Sequence, residues 1–306
     1  MKKLISAALI SMFVGFAVSA NAGPFEDGVA AYARQDCMTA AKLMRVAADQ
    51  GNSVAQYELG VMYDEGRGVI QDYKEAVRWY RLSADQGDAD AQYNLGVSYE
   101  KGQGVTQVYK EAVKWFRLAA DQGYAKAQAS LGERYYNGQG VTQDYKEAVK
   151  WYRLAADQGN AVAQYDLGAR YANGQGVTQD YKEAVKWYRL AADQGTALAQ
   201  SNLGVMYAAG QGVTQDYKEA VKWYRLSADQ GTALAQSNLG LMYANGQGVT
   251  QDYIRAHMWW NISASSGDKK AESNRDKVAK KMSQTQIEKA QEMARLCMKS
   301  NIKNCG

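Results

Sequence analysis

Apolar residues recur at helical spacing through most of this chain, and the pattern predicts pairs of short helices. In one first helix, Ala163, Leu167 and Tyr171 stand four residues apart and line one face. Gly168 lies beside that face, although a glycine inside a helix costs up to about 1 kcal/mol relative to alanine. Because a glycine returns here in all six copies of the helix, we predict a close helix approach that a side chain would block. The helix should end near Gly174.

A second apolar stripe predicts the partner helix, with inward residues at every fourth position: Ala184, Tyr188 and Ala192. Trp187 and Leu190 are expected to extend this stripe. Asp180 and Glu183 stand at the spacing of a capping box, in which each side chain bonds a backbone N–H of the other residue. Gly195 should close the helix as a left-handed cap.

The helix pair is one unit of a repeat with a fixed period of 36 residues. A fixed period in this range indicates a solenoid, in which each unit buries its faces only against its neighbours. We therefore predict an all-α solenoid of helix-turn-helix units. The motif Asp-Gln-Gly, or Ser-Ser-Gly in the last copy, marks the period at Asp49, Asp85, Asp121, Asp157, Asp193, Asp229 and Ser265.

The glycine-rich loop ahead of the second helix invites comparison with phosphate-binding loops. Gly174 and Gly176 precede a helix start, where backbone N–H groups can hold an anion. However, the loop recurs in six units, no lysine follows it at P-loop spacing, and Asp180 occupies the helix start. We interpret the loop as a turn.

The units closely resemble the Sel1-like repeat, a relative of the tetratricopeptide repeat, through the pattern AxAQYxLGxxYxxGxGVxxDYxxAxxWYxxAAxQG in residues 160–195. Six full units cover residues 49–264, residues 23–48 resemble a shorter first repeat, and residues 265–306 resemble a C-terminal capping helix and tail. The resemblance implies a right-handed superhelix with a concave inner surface. It also implies a scaffold or adaptor that binds proteins or peptides.

Residues 1–22 have the features of a signal peptide. Lys2 and Lys3 precede an apolar run, and Ala20-Asn21-Ala22 fits the small-residue cleavage pattern. The alternative is a membrane anchor, which the shortness of the run disfavours. We expect a mature chain from Gly23 that acts in the periplasm or outside the cell, without stable membrane insertion.

The mature chain has three cysteines, Cys37, Cys297 and Cys305. Cys297 lies near the end of the predicted capping helix, and the seven residues after it allow Cys305 to fold back within disulfide distance. We predict a Cys297–Cys305 disulfide and an unpaired Cys37. The alternative is two free thiols on a frayed tail.

The composition offers little for catalysis, metal binding or nucleic-acid binding. Without Lys2 and Lys3, 34 basic residues face 32 acidic ones, and a nucleic-acid binder would show a clustered basic face. His257 is the only histidine, and the cysteines are dispersed. We predict no catalytic residue, no metal and no cofactor, and hence a non-enzyme.

One enzyme-like alternative stays open. Some cysteine-rich relatives with a 36-residue unit carry a cysteine pair in each repeat, and β-lactam binding is associated with them. This chain has no cysteine in its six full units, which removes most of the support for that function. The alternative is a binder or hydrolase of β-lactam or peptidoglycan-derived molecules.

Residues that vary between units indicate where a partner binds. By analogy with tetratricopeptide repeats, the concave surface comes from first-helix positions around the Leu-Gly pair. Tyrosines and acids dominate the N-terminal half of this surface, and small or aliphatic residues dominate its C-terminal half. The alternative is that these residues bind nothing and vary neutrally on a solvent-exposed face. We expect a basic or polar partner segment near Asp64 and Glu100 and an apolar one near Leu198 and Leu241. The candidate partner-binding residues are Tyr57, Val61, Asp64, Tyr93, Val97, Glu100, Glu133, Tyr136, Tyr165, Leu198, Val205, Leu234 and Leu241.

Overall fold

The computed structural model of the protein describes residues 23–300 and residue 305, so the predicted signal peptide at 1–22 lies outside the described residues. The described residues form sixteen α-helices and no strand. Helices of the period-36 repeat alternate through the chain, which confirms the predicted all-α repeat solenoid. The chain divides into two compact units, with the boundary between Asp144 and Tyr145.

The first compact unit contains seven helices within its described residues, and each packs against the next along the chain. They are α1 (Pro24–Ala33), α2 (Cys37–Asp49), α3 (Ser53–Glu65), α4 (Tyr73–Asp85), α5 (Ala89–Lys101), α6 (Tyr109–Asp121) and α7 (Ala125–Asn137).

The second compact unit contains nine helices within its described residues. They are α8 (Tyr145–Asp157), α9 (Ala161–Asn173), α10 (Tyr181–Asp193), α11 (Ala197–Ala209), α12 (Tyr217–Ala228), α13 (Ala233–Asn245), α14 (Tyr253–Ser265), α15 (Lys269–Ala279) and α16 (Gln284–Lys299). Helix α14 contacts both α15 and α16, so these two helices cover the end of the repeat array.

The second helices bury the predicted stripe with one exception. Ala184, Tyr188 and Ala192 are buried, and so is Trp187. Leu190, in contrast, is 42% exposed, so the prediction that it extends the stripe is wrong. Its position on the helix turns it away from the neighbouring helices and towards solvent.

The predicted capping box is only half formed. The Asp180 side chain accepts hydrogen bonds from the N–H groups of Lys182 at 2.8 Å and Glu183 at 3.1 Å. The N–H of Asp180 itself donates to the Tyr171 carbonyl at 3.0 Å, which ties the helix start back to the preceding helix. Because that donor is satisfied, Glu183 does not complete the box, and its carboxylate pairs with Lys186.

The close approach predicted at the mid-helix glycine is present. A Cβ placed on Gly168 would lie 2.7 Å from Cδ1 of Tyr188, which is inside van der Waals contact. Gly60 meets Tyr80, and Gly96 meets Phe116, in the same way. The glycine therefore allows the aromatic ring of the second helix to lie directly on the first.

The glycine loop joins one repeat to the repeat before it. Gly102 ends α5 in the left-handed conformation, with φ of 69°. Gly104 is also left-handed, and a Cβ there would lie 2.1 Å from the carbonyl oxygen of Tyr73, the first residue of α4. The second glycine of the loop thus rests on the start of the preceding second helix.

Two polar ladders, which the sequence patterns did not reveal, connect successive helices. Gln92 is buried and donates to the Ala84 carbonyl at 3.1 Å, while Gln122 donates to the Gln92 side chain at 2.8 Å. The second ladder joins one arginine of a second helix to a tyrosine of the next first helix. Its pairs are Arg45–Tyr63, Arg81–Tyr99, Arg117–Tyr135, Arg153–Tyr171, Arg189–Tyr207 and Arg225–Tyr243.

A disulfide closes the C-terminal end of the described chain. Cys297, near the end of α16, bonds Cys305, and their Cα atoms are 5.3 Å apart. Ser283 and Gln286 form a complete capping box at the start of α16. Cys37 is unpaired at the first position of α2, as the sequence predicts.

Candidate functional site

The predicted partner-binding residues lie on the first helices of the repeats, and we call these positions, taken separately in each compact unit, the first-helix face. In the first compact unit this face comes from α3, α5 and α7, and in the second from α9, α11 and α13. The sequence-predicted residues all lie on these helices. In chain order they are Tyr57, Val61, Asp64, Tyr93, Val97, Glu100, Glu133 and Tyr136, then Tyr165, Leu198, Val205, Leu234 and Leu241.

The predicted tyrosines have a packing role as well as an exposed edge. Tyr57 is half-buried, and its ring centroid lies 6.1 Å from that of Tyr80 on the next second helix. Tyr93 packs on Phe116 at 5.7 Å in the same manner. Each of these tyrosines therefore presents only part of its ring to a partner.

The predicted acids differ in how far they are already engaged. Glu100 pairs with Nη1 of Arg134 at 2.8 Å, and Glu133 pairs with Nη2 of the same arginine at 3.0 Å. Arg134 is almost fully buried. Asp64 is half-buried, and burial followed by the nearby Glu65 raises the pKa of its carboxyl. Glu100 is thus neutralised within the chain and less available to a basic partner than the sequence suggested.

A second group of acids and tyrosines comes from α3, from α5 with its N-terminal end, and from the turn before α7, and the sequence did not predict it as a group. We call it the acid–tyrosine cluster, and it consists of Tyr57, Glu58, Asp90, Tyr93 and Tyr124. The Tyr124 hydroxyl donates to Asp90 at 2.6 Å, and the Tyr93 and Tyr124 ring centroids are 5.4 Å apart. Burial, followed by the charges of Asp90 and Glu58, raises the pKa of the Tyr57 hydroxyl, and Glu58 is the next residue on α3.

Glu58 is the unusual member of this cluster. It is only 8% exposed. Burial, followed by the negative charge of Asp90, raises the pKa of its carboxyl to about 7. Carboxylates are rarely buried to this degree unless they are paired, so Glu58 is a functional candidate by its environment.

One sequence signal could have found the cluster. The residue before a first helix is Asn, Asp or Thr in five of the six full repeats; Asn52, Asp88 and Asn160 accept a hydrogen bond there, whereas Thr196 and Thr232 do not. Tyr124 is the exception in residue type, and its hydroxyl donates to Asp90. A tyrosine in place of a residue type that favours capping is the sequence feature that marks this position.

The second compact unit carries an aliphatic version of the first-helix face. Leu198, Leu234 and Leu241 are 52%, 54% and 41% exposed, respectively. An open concavity of ≈ 640 Å³ lies between α13 and α15, lined by Leu234 and Leu241 on one side and by Lys270 and Asn274 on the other. Val205 is half-buried and packs against the core.

The described residues contain little that suggests a reaction centre. His257 is buried on α14, and burial followed by the charge of Arg275 lowers the pKa of its imidazole. Within the described part of the chain, no group of three or more His, Cys, Asp or Glu side chains could hold a metal ion. No helix in that part is both long and apolar enough to cross a membrane.

An all-α array of two-helix units with a period of 36 residues defines a helical-repeat protein. The Sel1 repeat model matches residues 23–52, 53–88, 89–124, 125–160, 161–196, 197–232 and 233–268. The chain belongs to the Sel1 repeat family, which confirms the resemblance in the sequence. Proteins of this family bind other proteins.

Among the solved structures similar to this chain, one supports the same assignment. A Sel1 repeat protein from Oxalobacter formigenes is 37% identical, with a TM-score of 0.72 over 79% of this chain and 97% of that one. A protective antigen of uropathogenic Escherichia coli with the same repeat fold is 28% identical, with a TM-score of 0.40 over 87% of this chain and 80% of that one. A tetratricopeptide-repeat protein from Cytophaga hutchinsonii is 14% identical, with a TM-score of 0.50 over 82% and 98%. No curated protein matches the chain significantly.

Proposed function

We propose that this chain is a non-catalytic scaffold or adaptor that binds a protein or peptide on its first-helix face, in the periplasm or outside the cell. One observation carries the proposal. The side chains that are nearly the same in every repeat, such as Leu95 and Trp115, are buried in the repeat core. Several side chains that differ between repeats, among them Leu198, Leu234 and Leu241, are largely exposed on the first-helix face, where a change can alter recognition with little effect on packing.

The two compact units offer different chemistry to a partner. In the first unit, half-buried tyrosines stand beside Asp64, Glu58 and Asp90, which suits a basic segment. In the second, Leu198 and Leu241 suit an apolar segment. Tyrosine rings give contact area with little loss of conformational entropy and are common anchors in interfaces.

Export to an oxidising compartment is supported by the C-terminal disulfide. Cys297 and Cys305 are paired in the structure. Disulfides persist mainly in exported proteins, because cytosolic thiols are kept reduced. The predicted signal peptide at 1–22 agrees with this assignment.

We expect first-helix-face substitutions to weaken partner binding. The test variants are Tyr57→Ala with Tyr93→Ala, and separately Leu198→Ser with Leu241→Ser. Both changes are sterically tolerable, because Ala129 and Ser201 hold the tyrosine position in other repeats and the leucines are largely exposed. A partner is first captured from a periplasmic extract and purified, and its Kd is then measured. Loss of an anchor residue should weaken binding about ten-fold or more.

The matched control is Leu82→Ser with Leu118→Ser. These leucines are 40% and 42% exposed and lie on the second helices α4 and α6. We expect their loss to change the Kd less than about two-fold. Wild-type binding by both test variants, together with weakened binding by the control, would show that the partner uses another surface.

A further inference from the structure

Glu58 has no counterion in the described chain. Its carboxylate is reached by no hydrogen bond or ion pair among the described residues, and only the charge of Arg67 favours its ionised form. That arginine is itself held elsewhere, by the Glu65 carboxylate and the Tyr32 hydroxyl. Glu58 is therefore an acidic residue that is more than nine-tenths buried and forms no ion pair with another described residue.

The neighbours of Glu58 increase its need for a cation. Asp90 and Asp88, at the start of α5, and Glu65, on α3 itself, all disfavour its negative charge. A buried unpaired charge is costly, and several acids close together add to that cost. A positive group from outside the chain would favour ionisation of Glu58 and would be attracted by all four acids.

The tyrosines of the cluster supply surfaces that suit such a cation. The Tyr93 and Tyr124 rings lie 5.4 Å apart, and the hydrogen bond from Tyr124 to Asp90 fixes the second ring beside the carboxylates. Tyr57 lies near both Asp90 and Tyr124. An ammonium or guanidinium group over a tyrosine face gains further attraction from the ring quadrupole.

We infer that the acid–tyrosine cluster binds a lysine or arginine side chain of a partner, with its cation between the tyrosine rings and the carboxylates of Glu58 and Asp90. The inference rests on the proposed function, because it names the chemistry by which the first-helix face of the first compact unit recognises its partner. The partner segment is therefore basic rather than apolar at this position.

This geometry predicts a dependence on pH. Because the pKa of Glu58 is raised to about 7 by burial and by Asp90, its carboxyl is neutral at pH 6 and ionised at pH 8. A cationic side chain binds the ionised form more tightly, so affinity should rise from pH 6 to pH 8. Arginine keeps its charge throughout this range. A change in affinity between pH 6 and pH 8 therefore comes from titration of an acidic group of this protein.

The experiment is calorimetric titration of the full mature chain with a penta-arginine peptide blocked at both ends. The test variant is Glu58→Asn, because Asn94 holds this position in the next repeat. We expect it to lose about ten-fold in affinity at pH 8, as for a charge-assisted contact, and to lose the increase between pH 6 and pH 8. The control is Glu111→Gln on the second helix α6, which removes one exposed negative charge from the same unit.

Equal losses in Glu58→Asn and Glu111→Gln would show non-specific attraction and would overturn the inference, as would the absence of binding by the wild-type chain. A blocked penta-glutamate peptide should not bind. If penta-arginine fails to bind while the captured partner still requires Tyr57 and Tyr93, the cation site is wrong and the proposed function stands. If penta-arginine binds through Glu58 but substitutions on the first-helix face leave the Kd of the captured partner unchanged, the proposed function is wrong and the cation site stands.

Discussion

Replacing Gly104 with alanine should lower the free energy of unfolding by roughly 4 kcal/mol. About 1–2 kcal/mol arises because alanine is strained at a left-handed backbone position, and Gly104 has φ of 73°. The rest, about 2–3 kcal/mol, arises from steric displacement, since the new Cβ would lie 2.1 Å from the Tyr73 carbonyl oxygen. The loop must then move off the start of α4, which separates two neighbouring repeats.

Gly102→Ala is the matched control for this prediction. Gly102 has nearly the same φ, 69°, but its added Cβ would come no closer than 3.2 Å to the Gln107 side chain and 3.3 Å to the Gln107 backbone nitrogen, both in its own loop. We expect it to lose about 1–2 kcal/mol. Urea unfolding followed by circular dichroism compares the two variants. Equal losses would mean that backbone strain alone, rather than contact with the preceding repeat, requires the second glycine.

Replacing Arg134 with methionine should lower the free energy of unfolding by about 2–3 kcal/mol. Removing one member of a buried ion pair leaves its partner uncompensated and costs about 3–5 kcal/mol when both are fully buried. Here Arg134 is buried, but the Glu100 side chain keeps 23% of its exposure, which reduces the expected loss. Methionine fits the site, because Met206 holds the same position two repeats later.

A second substitution should reverse much of this loss. In Arg134→Met with Glu100→Ala, the pair becomes the same as Met206 with Ala172 in the second compact unit. We expect the double variant to unfold within about 1 kcal/mol of the wild type, since replacing a whole ion pair by apolar residues is often neutral. Thermal unfolding of Arg134→Met, of Glu100→Ala and of the double variant gives the coupling. If the losses in free energy of unfolding from the two substitutions simply add, the side chains of Glu100 and Arg134 do not stabilise each other.

Contacts within one helix pair were predictable from the sequence. The spacing of Leu167 and Tyr171, the stop at Gly174 and the close approach at Gly168 all follow from periodicity and from the conformations that glycine allows. The Cys297–Cys305 pairing followed from the length of chain between the two residues.

Contacts between neighbouring repeats were not predictable in the same way. Asp90 meets Tyr124 across 34 residues, and Gln92 meets Gln122 across 30. The period fixes the content of each unit, but not the distance and rotation that bring one unit onto the next. For this reason the burial of Glu58 and the pairing of Glu100 with Arg134 could be found only in the structure.

The most direct test of the binding surface is site-specific photo-cross-linking to the captured partner. A benzophenone amino acid is placed at Val61 or Val97 on the first-helix face and at Leu82 or Leu118 on the second helices of the same compact unit. The first-helix positions accept side chains of different size, since Glu133 and Leu241 hold the same place in other repeats. We expect cross-linked partner from Val61 and Val97 and none from Leu82 and Leu118. Cross-linking from Leu82 and Leu118 alone would contradict this expectation.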